Sequence, residues 1–290
     1  GGINLLQAGI SSADMITTVS PTYAKEIQTA EGGFGLDGLL RVRTDVVKGI
    51  LNGVDLKSWN PQTDKRIAKN YSSKTLQDKA VNKKALQEKM GLEVNPEIPL
   101  FGIVTRLADQ KGIAELFAPA YGCIYNMCNN LKIQVAVLGS GEAWCENEIG
   151  VLQSKLPNFK AYIGYDENLS HLIEAGSDFF IMPSKYEPCG LNQIYSLLYG
   201  TLPIVRRTGG LADTVENYVE ATGEGTGFMF DQLTPDAIYN TVGWATYAYY
   251  NKKDHIKQMQ QTGMAKSFTW DNSAQEYLDT YKEAIRRGCK

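Results

Sequence analysis

The stretch PSKYEPCGLNQIYSLLYG, residues 183–200, joins a short apolar run to a helical pattern and decides the fold class of the chain. The run FFIM at 179–182 precedes it and is typical of a buried strand in a parallel sheet. Apolar side chains then recur at spacings of three and four residues, which predicts a helix. These side chains are Leu191, Ile194, Leu197 and Leu198. Prolines and a glycine ahead of them predict a tight turn between strand and helix.

The turn at 183–190 carries four side chains that could serve a ligand: Lys185, Tyr186, Glu187 and Cys189. In an open α/β sheet, ligands bind in the crevice beyond the carboxyl ends of the strands, where this turn is expected. A carboxylate there, beside the free N–H groups that begin a helix, is well placed to handle a polar, anionic ligand. Glu187 could equally well cap the following helix, and the stretch alone leaves both interpretations open.

A second strand end carries two cations. The sequence LFGIVTRLADQKG at 100–112 again reads as an apolar strand, a turn and a helix, with Arg106 and Lys111 on the turn. The carboxyl ends of parallel strands meet at one edge of a sheet, so these cations are expected near Glu187. We expect both of them to be exposed rather than paired in a core.

A third strand end is rich in glycine. In LPIVRRTGGLAD at 202–213, Thr208, Gly209 and Gly210 begin another helix. Glycine lets the backbone approach a phosphate closely, and a helix N-terminus offers free N–H donors. Cations, a glycine-rich anion site and one carboxylate together suit a sugar diphosphate. The cations and backbone amides can bind the diphosphate, and the carboxylate can bind the sugar hydroxyls.

Apolar strands and helical segments alternate from about residue 98 onward. This rhythm predicts an α/β fold with a parallel, doubly wound sheet. The predicted strands lie at about 100–105, 133–138, 159–163, 178–182 and 202–206.

Three stretches resemble bacterial glycogen synthases and plant starch synthases: TTVSPTYAKEI at 17–27, GIVTRLADQKG at 102–112 and EPCGLNQIYSLLYGTLPIVRRTGGLADTV at 187–215. The resemblance follows chain order from about residue 3 to residue 285. It implies the glycosyltransferase-B architecture, in which two Rossmann-like domains face each other across a cleft, with this chain as the C-terminal half. It also implies retaining transfer of glucose from ADP-glucose to the non-reducing 4-hydroxyl of an α-1,4-glucan.

The resemblance implies roles for three charged side chains in this reaction. Arg106 and Lys111 would stabilise the departing diphosphate electrostatically, and Glu187 would bind the glucose hydroxyls and favour the developing positive charge. No cofactor and no metal are expected, because the protein supplies the cations. Related glycosyltransferases place a second glutamate eight positions after the first, where this chain has Tyr195, so a two-glutamate mechanism is not expected. Asn192 stands where many relatives carry threonine.

Further residues are assigned to the nucleotide-sugar site: Asn52, Gly139, Gly141, Tyr165, Cys189, Gly190, Leu191, Thr208, Gly209 and Gly210. Tyr165 follows a strand where the family keeps an aromatic residue against the adenine; the alternative is a partly exposed structural tyrosine. Gly139 and Gly141 end a strand and begin a helix, as a nucleotide contact or simply as a tight turn. Asn52, within GILNGVDLKSWNP at 49–61, either faces the cleft from an interdomain hinge or belongs to a plain turn.

The chain is expected to divide into four parts. Residues 1–50 would be the tail of an N-terminal domain, 51–96 a hinge with linker helices, 97–271 the Rossmann-like nucleotide-sugar-binding domain, and 272–290 a C-terminal crossing helix. The family's glycine-rich loop KTGGL does not occur in the sequence, so a fragment without its N-terminal domain, and without glucan elongation of its own, is expected. The crossing helix would then have little to cross onto. The Lys-rich stretch at 62–92 is expected to present a solvated helical face.

Composition limits the possible partners. A net charge of −3 over 290 residues argues against a nucleic-acid partner, which would require a strongly basic surface. No apolar run approaches the length of a membrane span. Five cysteines at scattered spacings fit a reducing cytoplasm, or a plastid stroma in a photosynthetic eukaryote. With the resemblance, the expected partners are ADP-glucose or ADP, an α-1,4-glucan acceptor and the missing N-terminal domain.

Other functions stay open. The chain could be a non-catalytic nucleotide or nucleotide-sugar binding module, or another glycosyltransferase-B enzyme such as a UDP-sugar transferase. An epimerase or a phosphorylase could share the architecture. A phosphorylase would need a lysine-bound pyridoxal phosphate, and the sequence has no pattern that supports one.

Overall fold

The computed structural model describes residues 4–288, in which strands and helices alternate as the sequence predicts. The strands are β1 (Ile16–Thr18), β2 (Val47–Gly49), β3 (Leu100–Leu107), β4 (Gln134–Gly141), β5 (Phe159–Ile163), β6 (Phe179–Met182), β7 (Leu202–Arg206) and β8 (Phe228–Phe230). The helices are α1 (Leu5–Ser12), α2 (Pro21–Glu26), α3 (Asp37–Val42), α4 (Lys79–Met90), α5 (Ile113–Phe117), α6 (Ile124–Asn130), α7 (Ala143–Lys155), α8 (Glu167–Gly176), α9 (Asn192–Leu198), α10 (Gly209–Thr214), α11 (Pro235–Asn251), α12 (Lys253–Met264) and α13 (Trp270–Gly288).

The main sheet has six strands in the order β5-β4-β3-β6-β7-β8, and all of its pairings are parallel. This confirms the predicted doubly wound α/β fold. The three-residue strand β8 was not predicted from the sequence. The strand order reverses between β3 and β6, and the crevice at such a reversal, beyond the carboxyl ends of the strands, is where ligands bind in these sheets. The turns after β3 and β6 are therefore neighbours.

The core lies on both faces of this sheet, because successive residues of a strand point to opposite sides. In β6, Phe179 packs into the cluster on one face and Phe180 into the cluster on the other. Phe101 and Leu100 of β3 divide in the same way. The uninterrupted apolar runs in the sequence are explained by this burial on both sides. Among residues 4–288, no helix has both the length and the apolar character needed to cross a membrane.

The segment before residue 50 is attached to the main sheet through α2. Ser20 Oγ donates a hydrogen bond of 2.5 Å to the carbonyl of Pro188, and Thr22 Oγ1 donates one of 2.6 Å to Asp213. Two short strands lie in this segment, where β1 pairs in parallel with β2. The turn that carries Glu187 is therefore held partly by the beginning of the chain.

The terminal helix α13 has more to pack against than predicted for residues 272–290. Ser273 Oγ donates a hydrogen bond of 2.6 Å to the carbonyl of Leu51. Farther along the helix, Arg287 Nη1 lies 2.9 Å from Asp45 Oδ2. The last two residues of the predicted range lie outside the described part of the chain. The expectation that this helix has little to cross onto is wrong, because Asp45 and Leu51 both supply contacts.

The expectation of a solvated helical face at 62–92 holds for only one side of the helix, where Lys84 and Glu88 are exposed. Helix α4 packs against α8, and Lys79 is buried with its Nζ 2.7 Å from the carbonyl oxygen of Ala175. Lys83 Nζ lies 2.7 Å from Asp178 Oδ2 and is buried too. Burial lowers the pKa of Lys79 to about 7. Polar partners far along the chain allow these lysines to be buried, which helical periodicity cannot reveal.

A buried network joins the linker segment to α8 and α9. Asp64 Oδ2 lies 2.7 Å from His171 Nδ1 and accepts a hydrogen bond of 2.6 Å from the Tyr199 hydroxyl. The ring of Trp59 stacks on that of His171 with 3.6 Å between centroids. Burial alone would raise the pKa of Asp64. The hydrogen bonds with His171 and Tyr199 outweigh this effect, so the pKa lies below its ordinary value. The ionised carboxylate therefore stabilises the fold.

We expect Asp64→Asn to lower the free energy of unfolding by about 2–3 kcal/mol at neutral pH, because the charged acceptor of two buried groups is lost. A carboxyl group whose folded pKa is depressed stabilises above its unfolded pKa, and this contribution disappears as the pH falls through the folded pKa. The difference between variant and parent should therefore shrink below about pH 4. Urea unfolding of both proteins over a pH series measures this difference in the free energy of unfolding. A difference that grows on acidification would contradict this assignment.

Candidate functional site

The turns after β3 and β6 meet at an ion pair. Lys111 Nζ lies 2.5 Å from Glu187 Oε2, and Ser184 Oγ donates a hydrogen bond of 2.9 Å to the same oxygen. Glu187 is buried, and helix α9 has no side-chain cap, so Glu187 does not cap that helix. The expectation that both cations are exposed and unpaired is wrong for Lys111. Both donors reach Oε2, and within the described residues none reaches Oε1, which leaves that oxygen for a ligand.

Arg106 lies at the end of β3 with its guanidinium exposed. Its one side-chain hydrogen bond among the described residues is long, at 3.3 Å to Gln110 Oε1. A cavity of about 200 Å³, here called the Glu187 cavity, lies between these groups. Its lining includes Arg106, Lys111, Glu187, Gly190, Leu191 and Asn192. Two cations and one carboxylate therefore share a single small space, as the sequence predicts.

A second cavity of about 410 Å³, the Tyr165 cavity, adjoins the first. Both are lined by Val104, Thr105, Arg106 and Asn192. The second also includes Gly139 and Tyr165, and the Tyr165 side chain is 86 % exposed. The two cavities form one crevice that runs from an exposed aromatic ring to a buried carboxylate.

Gly141 has a structural role behind this crevice. Its N–H donates a hydrogen bond of 2.8 Å to Glu146 Oε1, in the first turn of α7. A Cβ at Gly141 would collide with the carbonyl of Leu107. The glycine therefore permits close packing of the strand ends. Gly139 does the same against the carbonyl of Thr105 and also lines the Tyr165 cavity.

Backbone and side-chain bonds hold the two turns in register. The N–H of Lys185 donates to the carbonyl of Gln110 at 2.9 Å, and Gln110 Nε2 donates to the carbonyl of Tyr186 at 3.2 Å. Lys185 Nζ lies 2.5 Å from Asp109 Oδ1. The hydrogen bond to Asp109 raises the pKa of Lys185. Lys111 and Glu187 thus sit on two turns that are joined by the residues just before them.

The N–H groups of Thr208, Gly209 and Gly210 are all bonded within the protein. They donate to the carbonyl of Arg206, to Glu26 Oε1 and to the carbonyl of Glu187, at 2.9, 2.9 and 3.0 Å respectively. The prediction that these amides are open to a phosphate is therefore wrong for this structure.

The glycines serve close packing instead. A Cβ at Gly209 would collide with the carbonyl of Glu187, and one at Gly210 with the carbonyl of Cys189. Helix α10 can therefore lie directly against the turn that carries the buried carboxylate. Any larger side chain at these two positions would displace the turn at Glu187 or Cys189.

The remaining predicted residues divide between the cavity and its support. Gly190, at a φ of 70°, and Leu191 line the Glu187 cavity. Cys189 is buried behind the turn, and this burial raises the pKa of its thiol despite a backbone hydrogen bond from Asn52. The bond places Asn52 beside the turn, so the hinge segment supports the site from behind.

Besides Ser184, sequence reasoning missed two contributors. Glu26 of α2 bonds both Thr208 Oγ1 and the Gly209 N–H, each at 2.9 Å. Trp59 lines the Tyr165 cavity. Glu26 does lie within the 17–27 stretch that carries the resemblance, which was the one available signal. Nothing in the local pattern links it to a loop 182 residues away.

Two family models match the chain. The model for the starch synthase catalytic domain matches residues 1–42, and the model for glycosyl transferases group 1 matches residues 84–258. The second match covers both turns of the site and every lining residue of its two cavities except Trp59.

Similar proteins confirm the resemblance to glycogen and starch synthases. A glycogen synthase of Treponema denticola is 61 % identical over 98 % of this chain, and glycogen synthase 1 of Geobacter sulfurreducens is 48 % identical over 98 %. The aligned regions are 58 % and 56 % of those proteins, so the chain spans little more than half the length of the curated relatives it matches.

Solved structures agree with these relatives. The catalytic domain of starch synthase IV from Arabidopsis thaliana, bound to ADP and acarbose, has a TM-score of 0.90 and 35 % identity. The alignment covers 98 % of this chain and 58 % of that one. Sucrose-phosphate synthase from Thermosynechococcus elongatus is similar in fold alone, with a TM-score of 0.63, 19 % identity, and coverage of 97 % and 61 %.

Proposed function

Because the chain belongs to the group 1 glycosyl transferases, we propose that it forms the nucleotide-sugar half of a retaining glucosyltransferase. The reaction moves glucose from ADP-glucose to the non-reducing 4-hydroxyl of an α-1,4-glucan, as in glycogen or starch synthesis. The observation that carries the proposal is the Lys111–Glu187 pair, which lies beside Arg106 at one end of a crevice that has Tyr165 at the other. The similarity to glycogen synthases supports the choice of substrates.

The charges of the site match the charges of the reaction. When ADP leaves glucose, negative charge grows on the diphosphate and positive charge grows at the anomeric carbon. Lys111 carries three N–H donors, so it can bond Glu187 and still donate to the diphosphate. Arg106 offers a planar fork of donors to the same group. Cations fixed in advance on tied turns stabilise the departing group without reorganising.

Glu187 acts on the sugar in this proposal. Its Oε2 is held by Lys111 and Ser184, which orients Oε1 toward the cavity to accept hydrogen bonds from glucose hydroxyls. Its negative charge favours the positive charge that develops at the anomeric carbon. Since the cations come from the protein, we propose that transfer proceeds with neither metal nor cofactor.

The Tyr165 cavity takes the nucleoside. An exposed aromatic ring at the far end of the crevice can stack on the adenine, and Gly139 lets the ligand approach the end of β4. Gly190 and Leu191 border the diphosphate, while Asn52, Gly141, Cys189, Thr208, Gly209 and Gly210 hold the turns in place.

A cytoplasmic location is part of the proposal and follows from the cysteine usage alone.

A glucose-transfer assay tests the proposal. ADP-glucose and maltoheptaose are incubated with the chain alone and with the chain fused behind the N-terminal region of the Treponema denticola relative. We expect the fusion to lengthen the glucan and the chain alone to be inactive, because half of the cleft comes from the added region. A folded fusion that binds ADP but transfers no glucose would contradict the proposal. Rapid transfer by the chain alone would contradict the expected need for a second domain.

A binding module without transfer activity is the second candidate, because Arg106, Lys111 and Tyr165 all lie on this chain. The same assay separates the two functions. A binding module would bind ADP both as the chain alone and as the fusion, and it would transfer glucose in neither case.

A further inference from the structure

Glu174, on α8, lines the Tyr165 cavity, and none of the roles proposed above uses it. The residue is only 1 % exposed. Ser170, one helical turn earlier on the same face of α8, lines the cavity as well. The crevice therefore contains a second buried carboxyl group, besides that of Glu187.

The two carboxyl oxygens of Glu174 have different surroundings. Oε2 accepts a hydrogen bond of 2.7 Å from Ser196 Oγ of α9, and Ser196 is itself buried. Among residues 4–288 no donor reaches Oε1, and this atom is not sealed from solvent. Buried polar atoms normally have a partner, so an unpaired one at a cavity wall marks a place for a ligand. Ser196 thus fixes one oxygen and leaves the other for a bound molecule.

The buried Lys79 does not occupy the free oxygen. Its Nζ donates to the backbone carbonyls of Glu174 and Ala175 and to Thr201 Oγ1, at 3.2, 2.7 and 2.7 Å respectively. Burial raises the pKa of Glu174 to about 8, although the bond from Ser196 and the charge of Lys79 oppose the rise. Oε1 can therefore donate a hydrogen bond from the neutral acid or accept one as part of the carboxylate.

A ribose hydroxyl suits Glu174 in either state. Hydroxyls both donate and accept hydrogen bonds, so they can pair with an acid or with a carboxylate. A phosphate is a poor partner, because a neighbouring negative charge disfavours the ionised form of the carboxyl group. In other Rossmann-like folds, an acidic side chain at the nucleotide crevice bonds a ribose hydroxyl. The chemistry of Glu174 therefore favours the sugar of the nucleotide over its phosphates.

Glu174 also lies where the ribose of ADP is expected. In the proposed function the adenine is at Tyr165 and the diphosphate is at Arg106, so the ribose is between them. Asn192, which borders both cavities, is one turn before Ser196 on α9, and Ser196 bonds Glu174. The free oxygen is therefore close to the junction of the two cavities.

We propose that Glu174 determines specificity for the sugar of the nucleotide, with Oε1 bonding a ribose hydroxyl of ADP. This inference rests on the proposed function and adds a residue to its nucleotide site. The position eight residues after Glu187 carries Tyr195, whose ring stacks on Trp59 at 3.8 Å and does not line the cavity. The buried carboxyl group beside the nucleoside therefore comes from α8 rather than from α9.

Calorimetric titration with ADP, 2′-deoxy-ADP and 3′-deoxy-ADP tests the inference. The parent chain should bind at least one deoxy analogue about tenfold more weakly than ADP, the size of one buried hydrogen bond. Glu174→Met combined with Ser196→Ala replaces the buried polar pair with apolar groups of similar shape, so the double variant should fold. In this variant the preference for ADP over that analogue should shrink to within about twofold.

Two controls accompany these titrations. Asp178→Asn removes a carboxylate that pairs with the buried Lys83 and lies outside the Tyr165 cavity. This variant should keep the parent's preference for ADP over the deoxy analogue, because a loss of charge elsewhere in the fold does not touch the ribose. IDP, which has a carbonyl in place of the 6-amino group of ADP, reports on a contact with the base instead.

The outcomes separate this inference from the proposed function. Deoxy analogues that bind the parent as tightly as ADP, or a preference that survives in the double variant, would overturn the inference and leave the function in place. If the double variant instead loses a preference for ADP over IDP and keeps the ribose preference, Glu174 reads the base, which overturns the inference too. Absence of ADP binding by the folded parent would remove the proposed function along with it.

Discussion

Lys111→Ala is expected to weaken ADP binding and destabilise the fold, whereas Arg106→Ala weakens ADP binding alone. Both cations face the same cavity, and each charge-assisted contact to a diphosphate contributes on the order of 2 kcal/mol, or roughly a thirtyfold change in affinity. Lys111 also pairs with Glu187, whose side chain is only 9 % exposed. Removing Lys111 leaves the Glu187 carboxylate buried without its cation, which lowers the free energy of unfolding by about 2–4 kcal/mol. Arg106 is exposed and leaves no such charge behind.

Urea unfolding and calorimetric titration of the two single variants measure these effects. A double variant, Lys111→Met with Glu187→Gln, removes both charges at similar volume. It should recover most of the lost stability without recovering the affinity, because a buried pair can be replaced at little cost. If Lys111→Ala unfolds at the same urea concentration as the parent, the ion pair does not support the fold. If Arg106→Ala binds ADP normally, Arg106 does not contact the diphosphate.

Glu187→Ala is expected to reduce glucose transfer by the fused enzyme at least about a hundredfold, the scale found when one group aimed at developing charge is removed. The carboxylate is held by Lys111 and Ser184, so it is oriented before the substrate arrives. Its loss removes both the hydroxyl acceptor and the negative charge beside the anomeric carbon. The rate at saturating ADP-glucose is the quantity to measure.

Glu187→Gln separates these two contributions. The amide can still accept from Ser184 and from sugar hydroxyls, but it carries no charge. A rate near that of Glu187→Ala would assign most of the effect to charge. An intermediate rate would divide the effect between the charge and the hydrogen bonds. Glu88→Gln is a suitable control for charge alone, since Glu88 is exposed on α4 and does not line the Glu187 cavity. A loss smaller than tenfold in a folded Glu187→Ala enzyme would contradict the role given to Glu187.

Strand ends were the most predictable part of this molecule. The FFIM run and the cation-bearing turn at 100–112 each identify a buried strand followed by a turn, because parallel strands are apolar on both faces. The proximity of the two turns then follows from the general geometry of doubly wound sheets. This reasoning placed Arg106, Lys111 and Glu187 at one cavity without a structure. It could not show that Lys111 and Glu187 form a pair, since 76 residues separate them.

Contacts between distant polar residues were not predictable. Lys79 looks like a surface residue in a Lys-rich helix, yet it is buried because carbonyl groups near the end of α8 accept its hydrogen bonds. Thr208, Gly209 and Gly210 look like an open anion site, yet Glu26 from the beginning of the chain occupies one of their N–H groups. In both cases the partner is set by tertiary packing, which has no counterpart in local sequence pattern.

The proposed nucleotide site is tested most directly by calorimetric titration of this chain with ADP and UDP under identical conditions. The Arg106 and Lys111 cations and the Tyr165 ring all lie on the described chain, so ADP should bind without any added domain. Binding should weaken as salt is added, because charge attraction contributes much of it. ADP should bind more tightly than UDP if the Tyr165 ring selects the larger base. A folded chain that gives no heat with ADP would contradict the site, and equal affinity for the two nucleotides would contradict the role of Tyr165.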